Sequence, residues 1–322
     1  MKRIVLMDCD PGHDDAIALL LAFSSPELDV RAVTVSAGNQ TVNKTLRNAM
    51  RIITCARQSL GEGFHIPRVA AGFSKPLFRD LIVAPSVHGD SGLDGPCLPE
   101  PMFEAEQESA VEVLYQEIVR AERKVTLVAT GPLTNIAALF LAHPEVREKI
   151  ELLSIMGGAV IGGNWTPAAE FNILVDPDAA SLCLNSGVPM VIAGLDVTHK
   201  ALVYPADVET IRNMGGKIPV LTAELLDFFM KFHLETGFAG APVHDACAVA
   251  YLLAPEIFET LTCPIEVETE GTAAPGAMVA DFFRVTGRPD NATALMGLDR
   301  EAFLALLIQA MQVYLDAEQE GK

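Results

Sequence analysis

The stretch that decides the fold is residues 4–16, which read IVLMDCDPGHDDA. Its apolar first half is short enough to be a buried strand, and it runs into four carboxylates within eight residues. Pro11 and Gly12 favour a turn, and the apolar residues 16–22 predict a buried helix directly after it. The carboxylates therefore lie where a strand passes into a helix, which is where open α/β sheets place their ligands.

The four carboxylates of this stretch, Asp8, Asp10, Asp14 and Asp15, predict a metal site. Like charges this close together repel one another, and a bound cation relieves the repulsion. Carboxylate oxygens are hard ligands that suit Ca²⁺ or Mg²⁺. A solvated acidic turn that caps the helix would account for one Asp but poorly for four, so we favour the metal site.

Composition limits the classes of partner and compartment. The chain has 322 residues and a formal charge of −19, which argues against nucleic acid or an anionic membrane surface as a partner. Its six cysteines are scattered without a C-x-x-C pair, so reduced core thiols are expected rather than disulfides or zinc ligands. Residues 1–3 lead straight into the first strand, and no apolar run reaches membrane-spanning length. We therefore expect a soluble, cytoplasmic protein.

Strand-like and helix-like segments alternate through the first two hundred residues. The predicted strands after the first one cover residues 29–35, 69–72, 125–130, 150–156 and 189–194. The predicted helices between them cover residues 41–57, 109–122, 131–143 and 176–185. This alternation predicts an α/β fold with an open, mostly parallel sheet flanked by helices on both faces.

The C-terminal part is predicted to be mainly helical. Helices are expected at residues 218–234, after Asp245, and at 299–314, with two late strands at 265–269 and 278–285. Residues 74–106 show almost no periodicity and contain five prolines, which is typical of a functional loop or a lid. Because no repeat or linker interrupts the chain, we expect residues 1–322 to form a single domain.

Polar side chains recur where the predicted strands end. Asn39, Thr130 and Asp196 each follow a strand, Glu170 and Asn172 follow a glycine-rich loop that carries Asn164, and His244-Asp245 opens a late helix. In a parallel sheet these positions share one edge, so residues far apart in sequence can converge on one pocket. Each residue alone would more often be a turn or loop residue, and it is the convergence that indicates a site.

The opening stretch resembles the signature of the ribonucleoside hydrolases, the inosine-uridine-preferring nucleoside hydrolase family. The resemblance continues in order along nearly the whole chain, at GNQT (38–41), VHG (87–89), TGPLTN (130–135), IMGGA (155–159), AEFNI (169–173), GLDVTH (194–199) and VHD (243–245). GNWTPA (163–168) and VTHK (197–200) are most similar to the pyrimidine-preferring members.

The resemblance implies an enzyme that hydrolyses the N-glycosidic bond of ribonucleosides to ribose and free base, for nucleoside salvage or catabolism. It also implies the nucleoside hydrolase fold, one Ca²⁺ per subunit and a homo-oligomer, either a dimer or a homotetramer. Pyrimidine nucleosides, uridine and cytidine, are the expected substrates. A purine-preferring or broad-specificity nucleoside hydrolase is the alternative.

The resemblance also implies a role for each site residue. The residues that match the calcium ligands are Asp10, Asp15, Asp245 and, through its backbone carbonyl, Thr130. The residues that match the ribose-binding set are Asp14, Asn39, Met156, Asn164, Glu170 and Asn172. Asp10 also matches the general base that takes a proton from the attacking water. His244 matches the residue thought to protonate the leaving base, His88 lies on the base side, and His233 stands where some relatives have a Tyr over the base.

Several of these residues, and the other histidines, could have purely structural roles. His244 could be a hydrogen-bonding residue at a helix start, and Met156 would by default belong to the core. His13 is expected to be a structural turn residue, and His65, His143 and His199 are expected to have surface or packing roles.

Two other classes of protein compete with the nucleoside hydrolase. Asp8-x-Asp10 after a first strand also suits an aspartyl-phosphate phosphatase with Asp8 as nucleophile, but that reading leaves Glu170-Phe171-Asn172 and His244-Asp245 without a purpose. A non-catalytic nucleoside-binding protein would not need Asp10 and a full set of metal ligands.

Overall fold

The computed structural model describes residues 2–320, and its centre is an eight-stranded sheet. In chain order the strands are β1 (Arg3–Cys9), β2 (Leu28–Val35), β3 (Arg68–Ala71), β4 (Val125–Ala129), β5 (Ile150–Met156), β6 (Met190–Ala193), β7 (Leu202–Val203), β8 (Ala241–Pro242), β9 (Phe258–Cys263), β10 (Ile265–Val267), β11 (Met278–Ala280) and β12 (Ala292–Leu298). The central sheet has the order β3-β2-β1-β4-β5-β6-β12-β9. Its neighbouring strands are parallel, except that β9 is antiparallel to β12.

Helices connect and cover these strands. They are α1 (His13–Ser24), α2 (Val42–Leu60), α3 (Pro85–His88), α4 (Ala110–Arg120), α5 (Thr134–Ala142), α6 (Phe171–Val175), α7 (Pro177–Leu184), α8 (Leu195–Thr198), α9 (Pro205–Asn213), α10 (Lys217–Glu235), α11 (Ala246–Leu253) and α12 (Arg300–Glu320). Two short 3₁₀ helices cover Pro144–Lys149 and Pro255–Ile257. No helix within residues 2–320 is long and apolar enough to span a membrane.

Both faces of the sheet are buried, as the apolar runs of the strands predict. Along β1, Met7 and Cys9 pack into a cluster with α1, α2, α10, α11 and α12. Ile4 and Leu6 point to the opposite face and pack into a second cluster with α4, α5 and α7. A parallel strand buried on both faces reads as a continuous apolar run, which is why these strands could be recognised. The predicted fold class is confirmed.

The direction of strand addition reverses around β1. β2 and β3 lie on one side of β1, and β4, β5 and β6 lie on the other. The loops that follow β1 and β4 therefore leave in opposite directions and open a crevice at the carboxyl edge of the sheet. The polar residues that follow these strands are gathered in this crevice.

The late strands differ from the prediction. Those predicted at 265–269 and 278–285 are shorter, and as β10 and β11 they pair only with each other. The second ends early because Asp281 accepts hydrogen bonds from the backbone N–H groups of Val285 and Thr286 and so forms a turn. β12 and β9 complete the central sheet instead, and both were missed. β12 reads ATALMGL, which has few of the β-branched and aromatic residues that mark a strand.

The final helix begins where Asp299 predicted, because the Asp299 side chain accepts a hydrogen bond from the N–H of Ala302. It continues to Glu320, beyond the predicted end at Tyr314. The face predicted to be apolar is buried, at Phe303, Leu307, Ala310 and Tyr314. The other predicted helices and strands before Tyr204 are confirmed within a few residues.

The long irregular segment between β3 and α4 contains α3 and is tied to the rest of the protein by Asp176. One oxygen of the buried Asp176 carboxylate accepts hydrogen bonds from Leu77 N–H (2.8 Å) and Thr134 Oγ1 (2.7 Å). The other caps α7 by accepting from Ala179 N–H (3.0 Å). A single side chain thus joins the loop, α5 and α7 behind the crevice.

Replacing Asp176 with Ala should lower the free energy of unfolding by about 3 kcal/mol or more, because a helix cap is lost and buried donors are left unpaired. Urea denaturation measures this. The control is Asp178→Ala, which removes a partly exposed ion pair to Arg79 and should cost about 1 kcal/mol or less. Equal losses in the two variants would contradict the role of Asp176.

Candidate active site

The crevice contains a cavity of about 270 Å³. Most of the residues predicted for the site line it, namely Asp14, Asn39, His88, Thr130, Met156, Asn164, Glu170, Asn172, His233, His244 and Asp245. Asp10 and Asp15 complete the predicted set. They are fully buried behind this lining and are in hydrogen-bond contact with Asn39. The structure thus brings the predicted residues into one place.

The carboxylates and amides of the lining form the floor of the cavity, and the N-termini of two helices lie there. Asp14 and Asp15 occupy the first turn of α1, and Asp245 stands directly before α11. The first turn of a helix carries partial positive charge on its free N–H groups, which favours carboxylates there. Asp15 accepts hydrogen bonds from Gly12 N–H (2.9 Å) and from Thr130 Oγ1 (2.7 Å), which link α1 to the end of β4.

The carboxylates of Asp14, Asp15 and Asp245 form a compact buried cluster. One oxygen from each lies within 4.8 Å of the others. Burial, together with the charge of Asp15, raises the pKa of Asp14 to about 8. Burial and the neighbouring carboxylates also raise the pKa of Asp245 well above its usual range. A divalent cation would relieve this repulsion, and a cluster with only oxygen donors fits Ca²⁺ or Mg²⁺ better than zinc.

Asp10 has a separate environment beside this cluster. Its Oδ2 accepts a hydrogen bond from Asn39 N–H (2.6 Å), whereas its buried Oδ1 has no hydrogen-bond partner within residues 2–320. A Cβ at Gly38 or Gly131 would collide with the Asp10 carboxylate, so only glycine fits at these positions. The predicted ligand set contains Asp10, whereas the compact cluster contains Asp14 in its place. The unpartnered Oδ1 is an oxygen that a bound cation or water would satisfy.

The predicted ribose-binding residues are held by their own hydrogen bonds. Glu170 caps α6 and accepts from Asn172 N–H (3.0 Å) and Gly158 N–H (2.8 Å). The side-chain amide of Asn172 donates to the carbonyl oxygens of Thr130 (2.8 Å) and Met156 (3.2 Å). These contacts fix the polar groups before a ligand arrives, which lowers the cost of binding. The carbonyl of Thr130 therefore has an amide donor in this structure.

Aromatic and histidine rings make up another part of the lining, the ring-lined wall of the cavity. His244 lies near His233, with ring centroids 5.9 Å apart, and His233 packs edge-on against Phe229 at 4.4 Å. Burial is the main cause that lowers the pKa of His233 to about 4 and the pKa values of His88 and His244 well below their usual range. These rings are therefore neutral at pH 7. A wall of this kind suits a flat heterocycle.

Several wall residues were not predicted from the sequence. His199, which was expected to have only a surface or packing role, lines the cavity and lies edge-on to His244 at 5.8 Å. The missed aromatic residues are Trp165, Phe171, Phe229, Phe232 and Phe238. Only Phe229 and Phe232 had a signal, the spacing of aromatic residues along α10, and that spacing is also common in an ordinary buried helix face.

Asp8 and His13 of the opening stretch also lie outside the cavity lining. Asp8 is buried, and its Oδ1 accepts hydrogen bonds from Thr34 Oγ1 (2.6 Å) and Asn135 Nδ2 (2.8 Å). His13 is buried in contact with the carbonyl oxygen of Asp94 at 2.8 Å and with His88. His13 therefore has the structural position that the sequence predicted.

The chain is similar to known proteins over nearly its whole length. Residues 5–305 match the family described as inosine-uridine preferring nucleoside hydrolase. The chain is 53% identical over 316 residues to the pyrimidine-specific ribonucleoside hydrolase RihA of Klebsiella pneumoniae (strain 342), covering 98% of this chain and 100% of that protein. It is 52% identical, with the same coverage, to RihA of Salmonella typhi.

Solved structures show the same likeness. The purine-preferring ribonucleoside hydrolase from Gardnerella vaginalis matches with a TM-score of 0.89 and 30% identity, over 98% of this chain and 100% of that one. An inosine-guanosine nucleoside hydrolase matches with a TM-score of 0.87 and 25% identity, over 96% and 99%. These matches over nearly the whole chain define a hydrolase that acts on N-glycosyl compounds. The chain belongs to the inosine-uridine preferring nucleoside hydrolase family.

Proposed function

We propose that this protein hydrolyses the N-glycosidic bond of ribonucleosides, with uridine and cytidine as preferred substrates, for nucleoside salvage or catabolism. The observation that carries the proposal is that one cavity is lined by two kinds of group. A floor of buried carboxylates and amides suits a sugar with several hydroxyl groups, and the ring-lined wall suits a base. The bond between sugar and base would then lie between the two.

The preference for pyrimidines rests on similarity. The relatives named as pyrimidine-specific are 52–53% identical to this chain. The structures named for purine or for inosine and guanosine hydrolysis are 30% and 25% identical. The larger identity supports uridine and cytidine over the purine-preferring or broad-specificity alternative.

The residues proposed to hold Ca²⁺ are Asp10, Asp15, Asp245 and the carbonyl of Thr130, with Asp14 close enough to contribute. When bound, Ca²⁺ supplies a fixed positive charge that orients water and sugar hydroxyls and offsets the charge of the carboxylates.

Asp10 is proposed to take the proton from the attacking water. Its Oδ1 is buried and without a partner within residues 2–320, so a lone pair remains for that proton. Carboxylates around the sugar would stabilise the oxocarbenium-like transition state electrostatically.

The same floor favours ribose over deoxyribose. Asn39, Asn164 and Glu170 present polar groups to the cavity beside Asp14. A nucleoside without its 2′-hydroxyl would leave some of these buried groups unpaired, and sites built to bind a hydroxyl reject analogues that lack it strongly.

His244 is the residue proposed to help the base leave. Its Nδ1 lies 2.8 Å from Thr198 Oγ1, so Nε2 is the ring nitrogen left for the base. His88 and His233 also line the cavity, both packed against Phe229, and are proposed to contact the base.

The competing classes are less well supported. Asp8 lies outside the cavity lining and already accepts two hydrogen bonds, so it is poorly placed as a phosphatase nucleophile. No Lys or Arg lines the cavity within the described part of the chain, and phosphate recognition usually employs one. A non-catalytic binding protein would have no need of the unpartnered Asp10 oxygen.

Three further expectations stay predictions. They are that the chain forms a single domain, that it assembles as a dimer or tetramer, and that it acts in the cytoplasm.

A substrate panel tests the proposal. Uridine and cytidine should give kcat/KM values at least about tenfold above those of inosine and adenosine, and about a hundredfold above those of their 2′-deoxy forms. p-Nitrophenyl phosphate should not be hydrolysed. A purine-first ranking would refute the base preference, and equal rates on uridine and deoxyuridine would refute the ribose argument. Turnover of p-nitrophenyl phosphate alone would indicate a phosphatase, and turnover of nothing would indicate a binding protein.

Replacing His244 with Ala tests base departure. A pyrimidine is a poor leaving group, so kcat for uridine should fall by about 10²- to 10⁴-fold. p-Nitrophenyl riboside carries a good leaving group, and its turnover should stay within about threefold of wild type. His65→Ala, at an exposed histidine outside the cavity, is the control and should leave both rates unchanged. Equal losses on both substrates would mean that His244 serves the sugar or the cation instead.

A further inference from the structure

The hydrogen bond between Thr198 and His244 connects two separate parts of the site. Thr198 ends α8, the single helical turn that follows β6, and its side chain is fully buried. Its Oγ1 lies 2.8 Å from Nδ1 of His244, which stands between β8 and α11. The two residues are far apart in sequence, and the contact between them orients the His244 ring within the cavity wall.

The chemistry of the two partners indicates the direction of this hydrogen bond. A hydroxyl group can donate or accept, and a neutral imidazole carries its proton on one nitrogen only. If Nδ1–H donated to Oγ1, the hydroxyl hydrogen of Thr198 would be buried without an acceptor, because its side chain has no second hydrogen bond within residues 2–320. If the hydroxyl donates to Nδ1, both groups are satisfied. Buried polar groups are overwhelmingly paired, so the second arrangement is favoured.

We propose that Thr198 is a positioning residue that holds His244 as the Nε2–H tautomer, so that the ring presents a hydrogen-bond donor to the departing base. The inference rests on the proposed function, in which His244 faces the base. The opposite tautomer would present a lone pair at Nε2 and could not donate.

The hydrolysis balances without a change in the charge of His244. The attacking water gives its hydroxyl to C1′ and its proton to Asp10. The base leaves with the electron pair of the glycosidic bond, stabilised by the hydrogen bond from Nε2–H. The proton on Asp10 then passes through solvent to the base, and the carboxylate is restored.

Thr198→Val tests this role because it keeps the shape of the side chain and removes the hydroxyl. The variant should lower kcat for uridine by about 10- to 100-fold, the effect seen when a residue that orients a working histidine is removed. KM for uridine should change little, since ribose contacts are untouched. Turnover of p-nitrophenyl riboside should stay within about threefold of wild type. Thr198→Ser, which keeps the hydroxyl, should recover most of the uridine rate.

A second buried threonine provides the matched control. Thr222 is buried in α10, and its hydroxyl contacts the sulfur of Met311 at 3.2 Å, outside the cavity lining. Thr222→Val should turn over uridine and p-nitrophenyl riboside at wild-type rates. If it lowered kcat for uridine as much as Thr198→Val does, loss of any buried hydroxyl would explain the result and the inference would fail.

Nitrogen-15 NMR of histidine-labelled protein provides a readout that does not depend on turnover. The His244 ring signals are those that vanish in His244→Ala. Wild type should show protonated Nε2 and unprotonated Nδ1, and Thr198→Val should shift the ring towards a mixture of tautomers.

Three further results would overturn the inference. They are a wild-type uridine rate in Thr198→Val, an equal loss on both substrates, and an Nδ1–H tautomer in the wild-type spectrum. Failure of the proposed function looks different, because the wild-type protein itself would then hydrolyse neither uridine nor p-nitrophenyl riboside.

Discussion

Mutual repulsion among buried carboxylates is the constraint on which the site depends. Asp14, Asp15 and Asp245 are buried with one carboxylate oxygen of each within 4.8 Å of the others, and Asp10 is buried beside them. The starts of α1 and α11 and the hydroxyl of Thr130 offset part of this charge. Burial still raises the pKa of each of these carboxyl groups. A cation bound here would offset the repulsion and hold these carboxylates in fixed positions beneath a substrate.

The parallel sheet brings the other polar groups of the site next to these carboxylates. Because the carboxyl ends of β1, β2, β4 and β5 meet at one edge, the loops after them deliver carboxylates, amides and a backbone carbonyl to the same crevice. The rings come mainly from α10 and from the segments before α11 and after β6, and the segment after β5 adds Trp165 and Phe171. The polar groups proposed to bind the sugar and the rings proposed to face the base thus alternate along the chain, as within residues 164–172, and the fold gathers both kinds in one cavity.

Much of the fold and site could be predicted because the signals are local. Buried parallel strands read as apolar runs, and the polar residues that follow them mark the sheet edge. β12 was missed because its alanines, methionine and glycine carry no strand signal, so its pairing with β6 depends on tertiary packing. Phe229 and His199 were missed because a helix face or loop ring looks the same in sequence whether it faces core or cavity. Likewise, sequence spacing could not show that Asp14, rather than Asp10, joins the compact carboxylate cluster.

Calcium binding to the metal-depleted protein tests the central claim most directly. Calorimetric titration of wild type should show one Ca²⁺ per chain, with a rise in Tm on binding. Asp15→Asn should bind Ca²⁺ at least about a hundredfold more weakly. Removing a residue that only hydrogen-bonds to a metal ligand can already lower metal affinity by that much, and Asp15 lies in the cluster itself. Asp8→Asn changes a buried carboxylate outside the cluster and should bind as wild type does. Absence of calcium binding, or equal affinity in wild type and Asp15→Asn, would contradict the account.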